Sequence, residues 1–110
     1  MTKIGGTDQV PDPPEPFGEG GRRLWESALR AFDFEDHERI LLVEACRTKD
    51  LIDAAKAELD RDGPTVLDRF GQAKIHPAEG IVSRGAQRLR MLFRELGFTG
   101  GTVSRPADIL

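Results

Sequence analysis

Hydrophobic positions along the middle of this chain recur with helical spacing. The clearest run is Leu41, Ala45, Thr48, Ile52, Ala55 and Leu59, set 4, 3, 4, 3 and 4 residues apart. That is the roughly 3.5-residue repeat of a seam packed along a partner helix. Ile40, Val43 and Leu51 widen the stripe in places. Glu35 and Asp36 put negative charge at the start, where the helix dipole favours it, and Gly63-Pro64 supplies the stop. A helix is therefore predicted over about residues 35–61. Thr48 and Asp50 are residue types that open helices, so a break at 48–50 is an alternative to one continuous helix.

Two further helical patterns flank this one. Leu24, Ala28 and Phe32 lie four apart, with Trp25 and Leu29 beside them, and predict a helix over about 19–32. Val82, Ala86, Leu89, Phe93 and Leu96 repeat the seam rhythm, with Leu92 broadening it, and predict a helix over about 77–96. Pro77 suits its first turn and Gly97 its C-terminal cap, while Gly80 and Gly85 weaken its first half. Between the long and last helices, Thr65-Val66-Leu67 and Ala73-Lys74-Ile75 are short β-prone runs around Asp68–Gln72, which predicts a small β-hairpin over about 65–75. Two strands alone are marginal, so the hairpin should lie on the helices or on a neighbouring subunit.

The fold class is thus mainly α, with three principal helices and a small hairpin. The expected organisation is a flexible Pro/Gly-rich arm over 1–17, a helical domain over 18–98 and a loose tail over 99–110. Leu41, Ile52, Leu59, Val82, Leu89 and Phe93 are expected in the core and subunit contacts. Leu24 and Trp25 should dock the first helix.

Charge changes the picture only through its distribution. The chain has 110 residues and a formal net charge of −3, which is no argument for nucleic-acid binding. Residues 1–34 carry 4 basic and 6 acidic side chains, residues 35–62 carry 5 and 9, and residues 63–110 carry 7 and 4. The basic excess lies in the last third. Arg84, Arg88, Arg90 and Arg94 flank the apolar stripe of the last helix, Arg90 and Arg94 on one side, Arg84 and Arg88 on the other. They can meet phosphates, or pair across subunits with the acidic long helix. Arg22 and Arg23 open the first helix and, with the helix-turn-helix of 19–47, offer a second DNA-contacting surface. Its second helix starts acidic, which disfavours entry of that end into a groove.

Other chemistry is sparse. There is no phosphate-binding loop, no nucleophile elbow and no Cys/His set with metal-ligand spacing, so neither a catalytic residue nor a metal or cofactor is expected. The one cysteine, Cys46, reads as a buried small apolar residue. His37 reads as a solvated helix start and His76 as a cap for the last helix. Asp50, Asp53, Glu58, Asp60 and Asp62 interleave with Lys49, Lys56 and Arg61, as on a solvated, ion-paired helix face. No apolar run is long enough to span a bilayer, and no membrane partner is expected.

The ordered set of features resembles the small subunit of phage DNA-packaging terminases. The features are Pro13-Pro14 and Pro16, then Leu24-Trp25, then Ala45-Cys46 within a long helix closing on Asp60-Arg61-Asp62-Gly63. A hairpin, His76-Pro77 and Glu95-Leu96-Gly97-Phe98-Thr99 complete it. The pattern covers roughly residues 13–99. Two departures stand out. Gly100-Gly101-Thr102-Val103-Ser104-Arg105 replaces the Pro and short Arg-containing tail common in that family, and aliphatic residues replace some acidic or aromatic ones in the long helix. The resemblance implies a non-enzymatic homo-oligomeric ring in the host cytoplasm. Such a ring recognises viral double-stranded DNA and presents it to the terminase large subunit, which holds the ATPase and nuclease chemistry. The rival expectation is a helical protein-interaction adaptor or regulator that binds no DNA, which the acidic net charge favours.

Overall fold

A computed structural model describes residues 10–98. The elements run α1 (Glu19–Ala31), α2 (Asp36–Asp62), β1 (Thr65–Leu67), β2 (Ala73–Ile75) and α3 (Pro77–Glu95). The protein is mainly helical, and its two strands form one small antiparallel hairpin. The arm expected over 1–17 is described only from residue 10, and residues 1–9 and the tail over 99–110 lie outside the described residues.

The 27-residue α2 is the spine, with α1 on one flank and α3 on another. Its start is a capping box: the Glu35 side chain accepts from the backbone of Glu38, and the Glu38 side chain accepts from Glu35 N at 2.9 Å. It runs unbroken through 48–50. Thr48 Oγ1 donates to Glu44 O one turn back, at 2.8 Å, instead of capping a new helix. Asp50 is engaged elsewhere, accepting Gly18 N and Gly21 N, each at 2.8 Å, at the start of α1. A carboxylate on α2 thus does for α1 what its own N-cap residue Gly18, which has no side chain, cannot.

The core joins Leu24, Trp25, Ala28 and Leu29 of α1, Leu42, Ala45, Cys46 and Ile52 of α2, and Leu89 and Phe93 of α3. Of the six expected core residues, Ile52, Leu89 and Phe93 are buried, whereas Leu41, Leu59 and Val82 are half-buried. Among the described residues two helices pack on α2 and none covers the sides of its contact with α3. For the same reason Ile40 and Leu51, expected to widen the stripe, stand 66% and 61% exposed. Leu42, absent from the expected stripe, is fully buried, because it belongs to the second packing face of α2, the one against α1.

Phe32, Phe34, Phe93 and Phe98 close one end of the bundle; Phe32 and Phe98 stack at 5.3 Å between centroids. Phe98 is placed by the end of α3. Gly97 adopts φ 83°, Gly97 N donates to Arg94 O at 3.0 Å, and Phe98 N donates to Phe93 O at 2.9 Å. This is a Schellman cap with its apolar contact between Phe98 and Phe93.

The segment leading into α1 is extended and tied down. Trp25 Nε1 donates to Pro11 O at 2.9 Å, the rings of Phe17 and Trp25 lie 6.0 Å apart, and Glu15 accepts from the Arg47 guanidinium, Nε at 3.0 Å. The hairpin, by contrast, packs on no helix beyond its base. There His76 N donates to Pro64 O at 2.9 Å. The His76 ring bridges both long helices: Nδ1 accepts from Ala78 N at 3.0 Å, and Nε2 lies 3.0 Å from Asp62 Oδ2. The tautomer with its proton on Nε2 satisfies both contacts.

Candidate nucleic-acid interface

The arginines of α3 owe their position to its amphipathic pattern. Burying Leu89 and Phe93 against α2 turns the opposite side of the helix to solvent. Arg84, Arg88, Arg90 and Arg94 are all exposed there, with Gln87 and Met91 between them. Among the described residues only Arg88 of the four has an ionic partner, Glu44 Oε1 of α2 at 3.2 Å.

The α2/α3 contact divides these arginines. Arg84 and Arg88 border a groove that also includes Glu44, Arg47, Leu51 and Ile81. Arg47 there is already bound by Glu15 and Glu44, which raise its pKa through hydrogen bonds and charge. Arg90 lies on the other side, beside Lys49 and Lys56 over a floor of Ile52, Val82, Leu89 and Phe93. Lys49 also borders the depression between α1 and α2 that contains Arg23. Arg23, Lys49, Lys56 and Arg90 therefore form a track across all three helices, which Glu19, Asp50 and Asp53 share at its α1 end.

That track is not legible as a site in the sequence. Along the chain Lys49 and Lys56 read as members of a solvated ion-paired face, and Lys49 does pair with Asp53 at 2.8 Å. The one signal for them is their seven-residue spacing, which sets both on one side of α2. Arg22 is exposed and unpaired among the described residues; Arg23 is exposed and 3.9 Å from Glu19. Both lie on α1 at a distance from the outward face of α3, so the six sequence candidates form no single cluster.

The acidic residues behave variously. Asp53 pairs with Lys49, and Asp50 caps α1 rather than facing solvent. Asp62 accepts from Arg61 Nε at 2.9 Å and faces His76; these two contacts hold its carboxyl down at about 2. His37 is exposed, 3.7 Å from Glu35. Cys46 is fully buried, and burial, reinforced by the charges of Asp50 and Glu15, pushes its thiol up to about 12. Among the described residues no group of three or more His, Cys, Asp or Glu side chains is arranged to hold a metal ion, and no helix is long and apolar enough to cross a membrane.

What the arrangement can do chemically is bind anions along a helix. Exposed guanidinium groups offer paired donors to phosphate or carboxylate oxygens, and the lysines add point charges. No protein-family model, curated protein or solved structure matches the chain.

Proposed function

We propose that this chain is the small subunit of a phage DNA-packaging terminase. In this reading it forms a homo-oligomeric ring in the host cytoplasm, recognises viral double-stranded DNA and presents it to the large subunit. It performs no catalysis itself. The observation that carries the DNA role is the outward face of α3, where four arginines stand exposed and one alone is ion-paired among the described residues. Such a face contacts phosphates and needs no base-reading helix. The acidic first turn of α2, with Asp36 and Glu38, weighs against base readout by that helix. The order of elements, with a long helix, a hairpin and a His76-Pro77 start to α3, supports the same reading.

A second reading is favoured by the hairpin. Leu67, Phe70 and Ile75 are 72%, 74% and 71% exposed, which suits a protein-interaction adaptor that binds no DNA. Solution mass by light scattering, with duplex binding by fluorescence anisotropy at several salt concentrations, separates the two. A discrete closed oligomer whose duplex affinity falls steeply with salt supports packaging. A monomer or dimer indifferent to duplex DNA overturns it and leaves the adaptor.

A further inference from the structure

We infer that the hairpin docks on a second copy of this chain, in the groove lined by Pro14, Trp25, Ile40 and Val43 at the far end of α2. The hairpin itself supplies the first argument. Its register pairs Thr65 with Ile75 and Leu67 with Ala73, so these four side chains share one face of the pleat, while Val66 and Lys74 share the other. Phe70 stands at the tip. That face, apolar but for Thr65, is therefore exposed among the described residues, on a two-stranded element that is marginal without a covering surface.

Charge complementarity selects the surface. Arg69 and Lys74 are exposed on the hairpin against one half-buried carboxylate, Asp68, whose Oδ1 accepts from Phe70 N and Gln72 N at 2.8 and 2.9 Å, so the hairpin is basic on balance. Outside the hairpin, the exposed large apolar residues among the described ones are Ile40, Leu51, Ile81 and Met91. Leu51 and Ile81 are rimmed by Arg47, Arg84 and Arg88 against the single carboxylate Glu44, and Met91 lies on the arginine face of α3, so both suit a basic hairpin less well. Ile40 lies in a groove of about 280 Å³ whose rim includes Asp12 and Arg39. Asp36 precedes Ile40 by one turn on the same face of α2. Asp33, Glu35 and Glu38 crowd that end of the molecule, against Arg39 and His37.

Distance makes the contact intermolecular. The hairpin follows the C-terminus of α2 and the groove lies at its N-terminus. The stretch of α2 from Ile40 to Asp62 holds the two roughly 30 Å apart at 1.5 Å per residue. A hairpin cannot reach its own groove. Every copy then offers one hairpin and one groove, a head-to-tail contact that closes into a ring when the rotation between copies allows. The inference deepens the assembly half of the proposed function and is independent of the DNA half.

The test is light scattering on Phe70→Asp and Ile40→Asp, alone and mixed in equal amounts. Both side chains are exposed, and circular dichroism checks that each variant folds. Ile75→Glu, on the same hairpin face, is a second variant of the hairpin side. Each variant alone should return to the 12.2 kDa monomer. The mixture should form a one-to-one dimer, because one intact hairpin and one intact groove remain. A wild-type monomer, a single variant that assembles like wild type, or a mixture that stays monomeric overturns the inference. Wild-type protein that assembles in this way yet ignores duplex DNA keeps the inference and sinks the packaging reading.

Discussion

Asp50 does at the residue scale what sequence position alone does not announce. Its two bonds to Gly18 N and Gly21 N fasten the start of α1 to the middle of α2. Asp50→Ala should lower stability by about 1–2 kcal/mol, the usual range for removing a cap, and Asp50→Asn by less, because an acceptor remains. Urea midpoints of the three proteins check this. Cys46 makes a second residue-scale case. A thiol pushed up to about 12 by burial carries almost no thiolate at neutral pH. Cys46 should therefore react slowly with a disulfide reagent in the native protein and fast in denaturant; equal rates would show the thiol to be accessible. The sequence makes its burial legible, since a lone cysteine within an apolar stripe has few other readings.

Packing between elements is set by close approach. A side chain on Gly85 would meet Ile52 Cγ1 at 2.7 Å, so α3 rests on α2 where it has no Cβ. Helix propensity by itself favours alanine at this position by up to about 1 kcal/mol. The clash should outweigh that, and Gly85→Ala should destabilise by about 1–3 kcal/mol, as overpacked cores do. A raised melting temperature would show the contact to be loose. The glycines of α3 read in the sequence only as weaknesses of a helix, because propensity is local and the neighbour at Ile52 is not.

The base of the hairpin responds to acid. Asp62, held down at about 2 by Arg61 and His76, favours the folded state above its unfolded value near 4. That contribution is complete above about pH 4 and disappears as the pH falls toward 2. Asp62→Asn should be less stable than wild type at pH 7 and no different at pH 2, as read from urea midpoints across that range. A constant difference would place its cause outside the titration.

For the whole molecule, the decisive feature is that two helices pack on one spine and, among the described residues, leave the outward face of α3 exposed. If that face binds duplex DNA, replacing Arg84, Arg90 and Arg94 together with Ala should weaken binding across sequences. It should also flatten the dependence of log affinity on log salt by about 0.9 for each phosphate that is no longer neutralised. Unchanged affinity and slope would move the interface off α3 to the lysines of α2, Lys49 and Lys56, where Lys56→Ala is the next variant.

The sequence by itself determined the elements: three helices, their stops at Gly63-Pro64 and Gly97, the hairpin between its two β-prone runs, and the burial of Ala45, Ile52, Leu89 and Phe93. Those follow from periodicity and from the local backbone preferences of glycine and proline. Only the tertiary structure decided that α2 has two packing faces, which buries Leu42 against α1 while Ile40 and Leu51 stay exposed. It alone brought Lys49 and Lys56 beside Arg90 and gave Asp50 to the start of α1. Such pairings join residues on different elements, and a one-dimensional repeat carries no information about which flank of a helix its neighbour will cover.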